Sequence, residues 1–395
     1  MPTLVGKTGT GKSTLLLNMI LGRIDEGHGV VLLDPHGDLA LDVVSRLPES
    51  RRKDAILFDP TDVDWPIGLN LLEHDPARPE EKSFLVNELL SMIDDLYDLR
   101  ETGGPVFELV FRNTILALID TPDMTIADVT RFLTDKEFRK TTLAACKNRR
   151  VRRVFQDELE KVTGDNSLAN LSHYVTSKLD AFVGNAFLLP ILGQPRSGLD
   201  FRAILAERKI LIVRLNKGRL GAIGTHLLGM VMLARVMAAG MALSDLALTE
   251  RPPCHVFIDE FQNLMTRTLA QMLSEARKYG LRLTMAHQNV GQLRPELRSA
   301  VLGNVGTTIA FRVGPEDARL IGQATADAEL PDLLAGLANH HAAVRATACG
   351  EQLPAFVMQT LPPPVAGSEA VTAQVLATSR MTARPRAEVM RRWEE

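Results

Sequence analysis

Gly6-Lys7-Thr8-Gly9-Thr10-Gly11-Lys12-Ser13 lies between the short apolar stub Thr3-Leu4-Val5 and a helical pattern running from Lys12 to about Ile24. It is a full G-x-x-x-x-G-K-[ST] match in a strand–loop–helix setting. The glycines let the backbone fold around phosphate oxygens, so that successive N–H groups and the helix N-terminus face the anion. Gly6, Thr8, Gly9, Thr10, Gly11, Lys12, Ser13 and Thr14 are the expected nucleotide-binding residues. Lys12 would reach the β- and γ-phosphates and the Ser13 hydroxyl would ligate Mg²⁺, making ATP and Mg²⁺ the expected cofactors.

Working outward, Val30-Val31-Leu32-Leu33 is a continuous apolar run of the buried parallel-strand type. Ala55 to Phe58, Lys209 to Val213, His255 to Ile258, Leu281 to Ala286, Thr307 to Val313 and His341 to Ala346 are further strand candidates. Helical patterns lie between several of them, including one from the end of the 209–213 strand to about Leu246 and one reaching Lys278. Alternating strands and helices predict an α/β fold with a parallel-rich central sheet covered on both faces. From about Pro76 the pattern changes to Glu, Lys, Leu and Ala at helical spacing. Phe107, Val110, Phe111, Thr114, Ile115 and Leu118 share one helix face. The expected organisation is residues 1–75 and 196–361 as two parts of one nucleotide-binding domain, 76–195 as an all-helical insertion, and 362–395 as a flexible, Pro-, Ala-, Thr- and Arg-rich tail.

The strand His255-Val256-Phe257-Ile258 ends in Asp259-Glu260, the Walker B arrangement. Asp259 is expected to hold the Mg²⁺ shell, and Glu260 to orient and deprotonate the attacking water. Two acids at a strand end can also be a solvated edge; the loop at 6–13 favours the catalytic reading. Gln288, after the strand that ends at Ala286, is placed to sense the γ-phosphate, or else bonds to nearby backbone.

Charge and cysteine content narrow the class. The net charge is −3, so contact with a polyanion must come from local basic surface. Cys146, Cys254 and Cys349 lie far apart, against a disulfide framework or zinc site. The most apolar long stretch, Leu227 to Leu243, is interrupted by Arg235 and is shorter than the ~20 residues that span a bilayer. It reads as a buried core helix, with no direct membrane span and a cytoplasmic location.

Further segments complete a family likeness. The loop at 6–13, Asp34-Pro35-His36-Gly37-Asp38, Ile258-Asp259-Glu260-Phe261, Ala276-Arg277-Lys278-Tyr279-Gly280-Leu281, Ala286-His287-Gln288 and Asn304 to Gly314 together resemble the HerA/FtsK superfamily. Within it, the chain looks most like the coupling ATPases of type IV secretion and conjugation, the TraG/TraD-like group, over roughly residues 3 to 361. The resemblance implies a RecA-like P-loop NTPase, usually a homo-hexamer, that moves DNA through a central pore. It also implies that Arg277 reaches a neighbour's γ-phosphate, with Arg312 as runner-up; a solvated helix face is the bland reading of Arg277. Asp34 to Asp38 either positions Mg²⁺, water or a neighbouring subunit, or is a tight turn with a helix N-cap at Asp38. Only five residues precede Gly6, where the group normally carries a small β-barrel or a transmembrane segment with linker. The expectation is that a membrane-anchored secretion-system partner supplies any attachment to the inner membrane.

The densest basic run, Lys147, Arg149, Arg150, Arg152 and Arg153, either contacts DNA or is used in helix pairs with Asp157, Glu158 and Glu160. Lys217 and Arg219 are the candidates for a pore-facing loop. The leading functional reading is an ATP-hydrolysing, DNA-stimulated translocase. A secretion-assembly ATPase acting on protein and a nucleotide-gated interaction module are the alternatives, and a small-molecule kinase is a remote fourth.

Overall fold

The run Val30 to Leu33 is completely buried in the computed structural model of the chain, as its unbroken apolar character requires. The structure describes residues 1–395 apart from 162–167, 248, 265–272, 294–297, 299–300, 302, 326, 328, 349–350 and 395. The chain divides into two compact units. The first comprises Met1–Asp59, Asp200–Arg219 and Leu228–Ser379; the second comprises Pro60–Leu199, Leu220–Leu227 and Arg380–Glu395.

The first unit is built on one sheet of strands β1 (Pro2–Val5), β2 (Gly29–Asp34), β3 (Ala55–Phe58), β4 (Ile210–Arg214), β5 (Cys254–Ile258), β6 (Leu281–His287), β7 (Thr307–Ala310), β8 (His341–Ala348), β9 (Glu351–Gln352) and β10 (Phe356–Gln359). Their order is β10-β8-β7-β1-β6-β5-β2-β4-β3, with β9 beside β8. Every pairing from β7 through to β3 is parallel, whereas β8 runs antiparallel to β7, β9 and β10. All the expected strands are present. β7 stops at Ala310 rather than continuing to Val313, and β9 and β10 are additions.

Alternate residues feed two cores. Leu4, Val30, Leu32, Ile210, Ile212 and Phe257 pack with Leu16, Ile20 and Ile24 of the helix Lys12–Asp25 and with Val371 and Val375 of the helix Glu369–Ser379. On the other face, Val5, Ala310 and Ala343 meet Ile321 and Leu334 of the helices Pro315–Thr325 and Leu330–Gly336. Burial of each large apolar side chain contributes about 1.5–3 kcal/mol, so both faces must be covered for a sheet this apolar.

The second unit is mostly helical. The helix Gly104–Ile119 buries the predicted face of Phe107, Val110, Phe111, Thr114, Ile115 and Leu118. The unit starts earlier than the expected boundary at 76, for a visible reason. Ile67, Leu69, Leu71 and Leu72 are buried, and the segment pairs with the exit segment through Leu69 N–H to Ile191 O at 2.9 Å and Gly198 N–H to Gly68 O at 2.8 Å. Asn70 Nδ2 donates to Met124 O and Pro195 O and fixes the join.

Residues 362–395, expected to be a flexible tail, are instead helical over Glu369–Ser379 and Arg386–Glu394. In the first unit, Ser379 Oγ accepts the edge N–H of Leu57 in β3 at 2.8 Å. In the second, Arg392 Nη2 donates to Asp128 Oδ2 at 2.9 Å and Trp393 Nε1 to Gly193 O at 3.3 Å. Composition suggested disorder; apolar residues at helical spacing and these polar anchors override it.

The apolar stretch around Leu227 to Leu243 falls in the helix Lys217–Ala242, kinked at Gly221. Among the described residues it alone is long and apolar enough to cross a membrane, and 72% of its most apolar window is buried. Cys146 and Cys254 are buried free thiols; Cys349 lies outside the described residues.

Candidate functional site

All the expected nucleotide-site residues lie in the first unit, at the edge of the sheet where its parallel strands end. The P-loop leaves β1 and enters the helix Lys12–Asp25. Gly9 and Gly11 have φ of +80° and +109°, a region costly for residues with a Cβ. A Cβ on Gly11 would lie 2.9 Å from His340 Nδ1, so both conformation and space require glycine there. Thr10 Oγ1 donates to Lys7 O at 2.7 Å and closes the loop on itself. Lys7, Thr8, Gly9 and Ser13 are exposed, whereas Thr10 and Lys12 are buried.

The end of β5 brings Asp259 and Glu260 against this loop. Lys12 Nζ donates to Glu260 Oε1 at 2.8 Å in a buried ion pair. Gln288 Nε2, just after β6, donates to the same oxygen at 2.8 Å, and Gln262 Nε2 donates to Oε2 at 2.6 Å. Thr8 Oγ1 donates to Gln288 Oε1 at 3.3 Å and ties the loop to that amide. The structure therefore brings Lys12, Glu260, Gln288 and Thr8 into one hydrogen-bonded group. Gln262, two residues past the acid, was not foreseen, although its spacing from Glu260 is a signal that could have found it.

Glu260 has φ of +43°, unusual for a residue with a long side chain. Such backbone costs of order 1–3 kcal/mol and is held by surrounding bonds; here Asn263 N–H and Nδ2 both reach Glu260 O, at 2.9 and 3.2 Å. Burial pushes the Glu260 carboxyl up, but the donors Lys12, Gln262 and Gln288 outweigh it and hold the group below its ordinary range. Asp259 behaves oppositely. Burial, helped by the charges of Glu260 and Asp34, pushes it up to about 6 against the pull of Lys12. Its Oδ1 accepts Glu260 N–H at 3.0 Å, and among the described residues no cationic side chain hydrogen-bonds it. His287 is buried under the Phe261 ring, which it meets edge-on at 4.8 Å, and burial lowers its pKa to about 3, so the ring is neutral.

Other candidates fall elsewhere. Asp34 accepts His36 N–H and Ala40 N–H, both at 2.9 Å, so this buried carboxylate caps the turn into the helix Asp38–Val44. The N-cap position itself is Gly37, not Asp38. Arg214 Nη1 pairs with Asp59 at 2.7 Å while its Nε donates to Gly37 O, which braces the same turn. Arg277 is exposed in the short helix Ala276–Tyr279 before β6, at the sheet edge opposite its own P-loop. Arg312 follows β7 beside the loop, where its backbone O accepts Lys7 N–H and its Nη2 donates to Asn339 Oδ1 at 2.9 Å. Lys217 and Arg219 begin a helix rather than a loop, and Lys217 Nζ is bonded to Asn263 Oδ1 at 2.8 Å.

In the second unit, Lys147, Arg149, Arg150 and Arg153 are exposed. Two of the acids expected to pair with them make their ion pairs with other cations, Asp157 with Lys161 at 2.9 Å and Glu160 with Arg139 at 3.0 Å, although Asp157 also feels the charge of Arg153.

Residues 2–326 match the family described as the type IV secretion-system coupling protein DNA-binding domain. The chain belongs to this family. Its fold is shared with the bacterial conjugative coupling protein TrwBdeltaN70 in its unbound form, at a TM-score of 0.65 and 16% identity over 93% of this chain and 85% of that one. TrwB in complex with ADP and Mg²⁺ gives a TM-score of 0.66 at 18% identity, covering 93% and 86% of the two chains. VirB4 of Thermoanaerobacter pseudethanolicus gives 0.59 at 15% identity, covering 92% and 90%. No curated protein matches the sequence. The resemblance drawn from the motifs therefore holds: this is a TraG/TrwB-like coupling protein with the RecA-like P-loop NTPase fold.

Proposed function

We infer that this coupling protein is an ATP-hydrolysing motor that moves DNA in a type IV secretion setting. The observation that carries the reading is the buried group of Lys12, Glu260 and Gln288 against an open, glycine-shaped P-loop. The exposed residues 7–9 and the start of the helix Lys12–Asp25 suit a triphosphate. Lys12 would exchange Glu260 for phosphate oxygens, and Glu260, with Gln288, would orient and deprotonate water for attack on the γ-phosphate.

The residues also fit Mg²⁺. Asp259 is a buried carboxylate with its pKa raised and, among the described residues, no hydrogen-bonded cation, and Ser13 is exposed at the helix start. When bound, the ion would neutralise charge on the phosphates. TrwB, of the same fold, carries ADP and Mg²⁺ in one of its structures.

Arg277, at the sheet edge away from its own P-loop, acts on phosphate only from a neighbouring subunit, so its assigned role requires a ring such as a homo-hexamer. Lys147, Arg149, Arg150 and Arg153 are exposed, and Asp157 and Glu160 make their ion pairs with Lys161 and Arg139, so these four cations are the surface we assign to DNA phosphates. A membrane-anchored secretion component is the expected further partner.

Steady-state ATPase activity with and without single- and double-stranded DNA, with Lys12→Ala as the blank, tests the reading. Stimulation that fades with rising salt is the expected result. A basal rate indifferent to both DNAs would move the substrate to protein, and no Lys12-dependent rate at all would leave a nucleotide-gated module.

A further inference from the structure

Glu260 and Gln288 follow β5 and β6, on one side of the P-loop strand β1. Hydrolysis at these groups places the γ-phosphate on that side. The rest of a bound nucleotide must then extend toward the other side of β1, where β7 and β8 lie. Because β8 is antiparallel to β7, the residues before β8 reach the same sheet edge as the P-loop.

Those residues form a held border. His340 N–H donates to Thr10 O at 2.9 Å, and its ring stands close over Gly11. The imidazole is exposed, and His340 has φ of +64°, a left-handed conformation that needs outside support. The support is visible. Arg312 holds the preceding Asn339, and His340 O accepts Thr360 N–H at 2.8 Å and Thr360 Oγ1 at 3.2 Å. Two residues on, Pro362 O accepts Asn18 Nδ2 at 3.1 Å, so the chain from Thr360 to Pro362 runs from His340 to the P-loop helix. Leu361, between these two anchors, is 69% exposed. An exposed ring and an exposed leucine on a pinned segment offer an apolar surface at low ordering cost.

We propose that His340 and Leu361 form the nucleoside border of the site and pack on the ribose and base of the bound nucleotide, with Arg312 as the positioning residue for the His340 turn. The proposal rests on the nucleotide reading above. It assigns the selection of nucleoside over bare polyphosphate to the β7–β8 side, and the cleavage chemistry to the β5–β6 side.

The test is calorimetric binding of ADP and of inorganic tripolyphosphate to the full chain and to His340→Asn, His340→Phe and Leu361→Ser. Asparagine tolerates the left-handed backbone, so loss of the ring is separated from loss of the turn. His340→Asn and Leu361→Ser are expected to weaken ADP about tenfold, as removal of one stacking or packing partner does, with tripolyphosphate unchanged. His340→Phe is expected to keep most of the ADP affinity. Equal losses for both ligands would overturn the proposal by making His340 a support for the phosphate loop, and so would no loss for either. Failure of the unaltered chain to bind either ligand would overturn the nucleotide reading itself, and this proposal with it.

Discussion

Asp259→Asn is expected to make the protein more stable while abolishing the ATP hydrolysis proposed above. The Asp259 carboxyl is buried beside Glu260 and Asp34 and titrates near 6 in the fold, against an ordinary value of 3.8. Raising the pKa of an acid means that folding disfavours its ionised form. The cost is absent below the unfolded value, grows as pH rises between the two values, and is complete above the folded one. At about 1.4 kcal/mol per pKa unit, the full cost is about 3 kcal/mol. Asparagine has nearly the same shape, keeps the oxygen that accepts Glu260 N–H, and carries no charge. In urea unfolding without Mg²⁺, the variant should therefore gain about 3 kcal/mol near pH 8 and only about 0.5 kcal/mol near pH 4. Mg²⁺ with ADP should raise the unfolding midpoint of the natural chain and have little effect on the variant, because a ligand stabilises only the fold that binds it. A gain of the same size at both pH values would refute the electrostatic account. A loss of stability near pH 8 would refute it more simply.

Gln288→Ala should lower kcat by about 10- to 100-fold with a smaller change in KM, since the amide donates to the Glu260 carboxylate at 2.8 Å and meets the P-loop only through the longer bond from the exposed Thr8 hydroxyl; steady-state kinetics check the split. A combined Arg149→Glu, Arg150→Glu and Arg153→Glu variant should weaken DNA binding and flatten its dependence on salt, with DNA-free hydrolysis unchanged. Fluorescence anisotropy over a salt series and a parallel ATPase assay read both effects.

Much of this architecture is legible in the sequence because its strongest signals are local. The P-loop pattern, the apolar run Val30 to Leu33 and the Asp259-Glu260 pair each lie within a few residues, and each forms the element its pattern implies. What escaped depends on contacts distant in sequence. β10 is a four-residue edge strand with Phe356 and Val357 exposed, so it shows no alternation to read. The helix Glu369–Ser379 hides in a composition typical of linkers and is fixed by β3, which lies more than three hundred residues earlier. His340 carries no motif; its place over Gly11 comes from the register of β8 on β7. Lys217 reads as a free loop cation until the start of its helix brings it to Asn263.

The bond from Lys12 to Glu260 has a consequence for timing. With the ammonium against it, Glu260 is a weakened base, its proton affinity held down by a positive neighbour. A phosphate that draws Lys12 away removes that restraint and adds negative charge nearby, so the affinity of the carboxylate for a proton climbs as the site fills. In the role proposed for it, Glu260 would thus be armed as a base by the arrival of its own substrate and quiet without it, a guard against idle turnover that resides in one 2.8 Å contact.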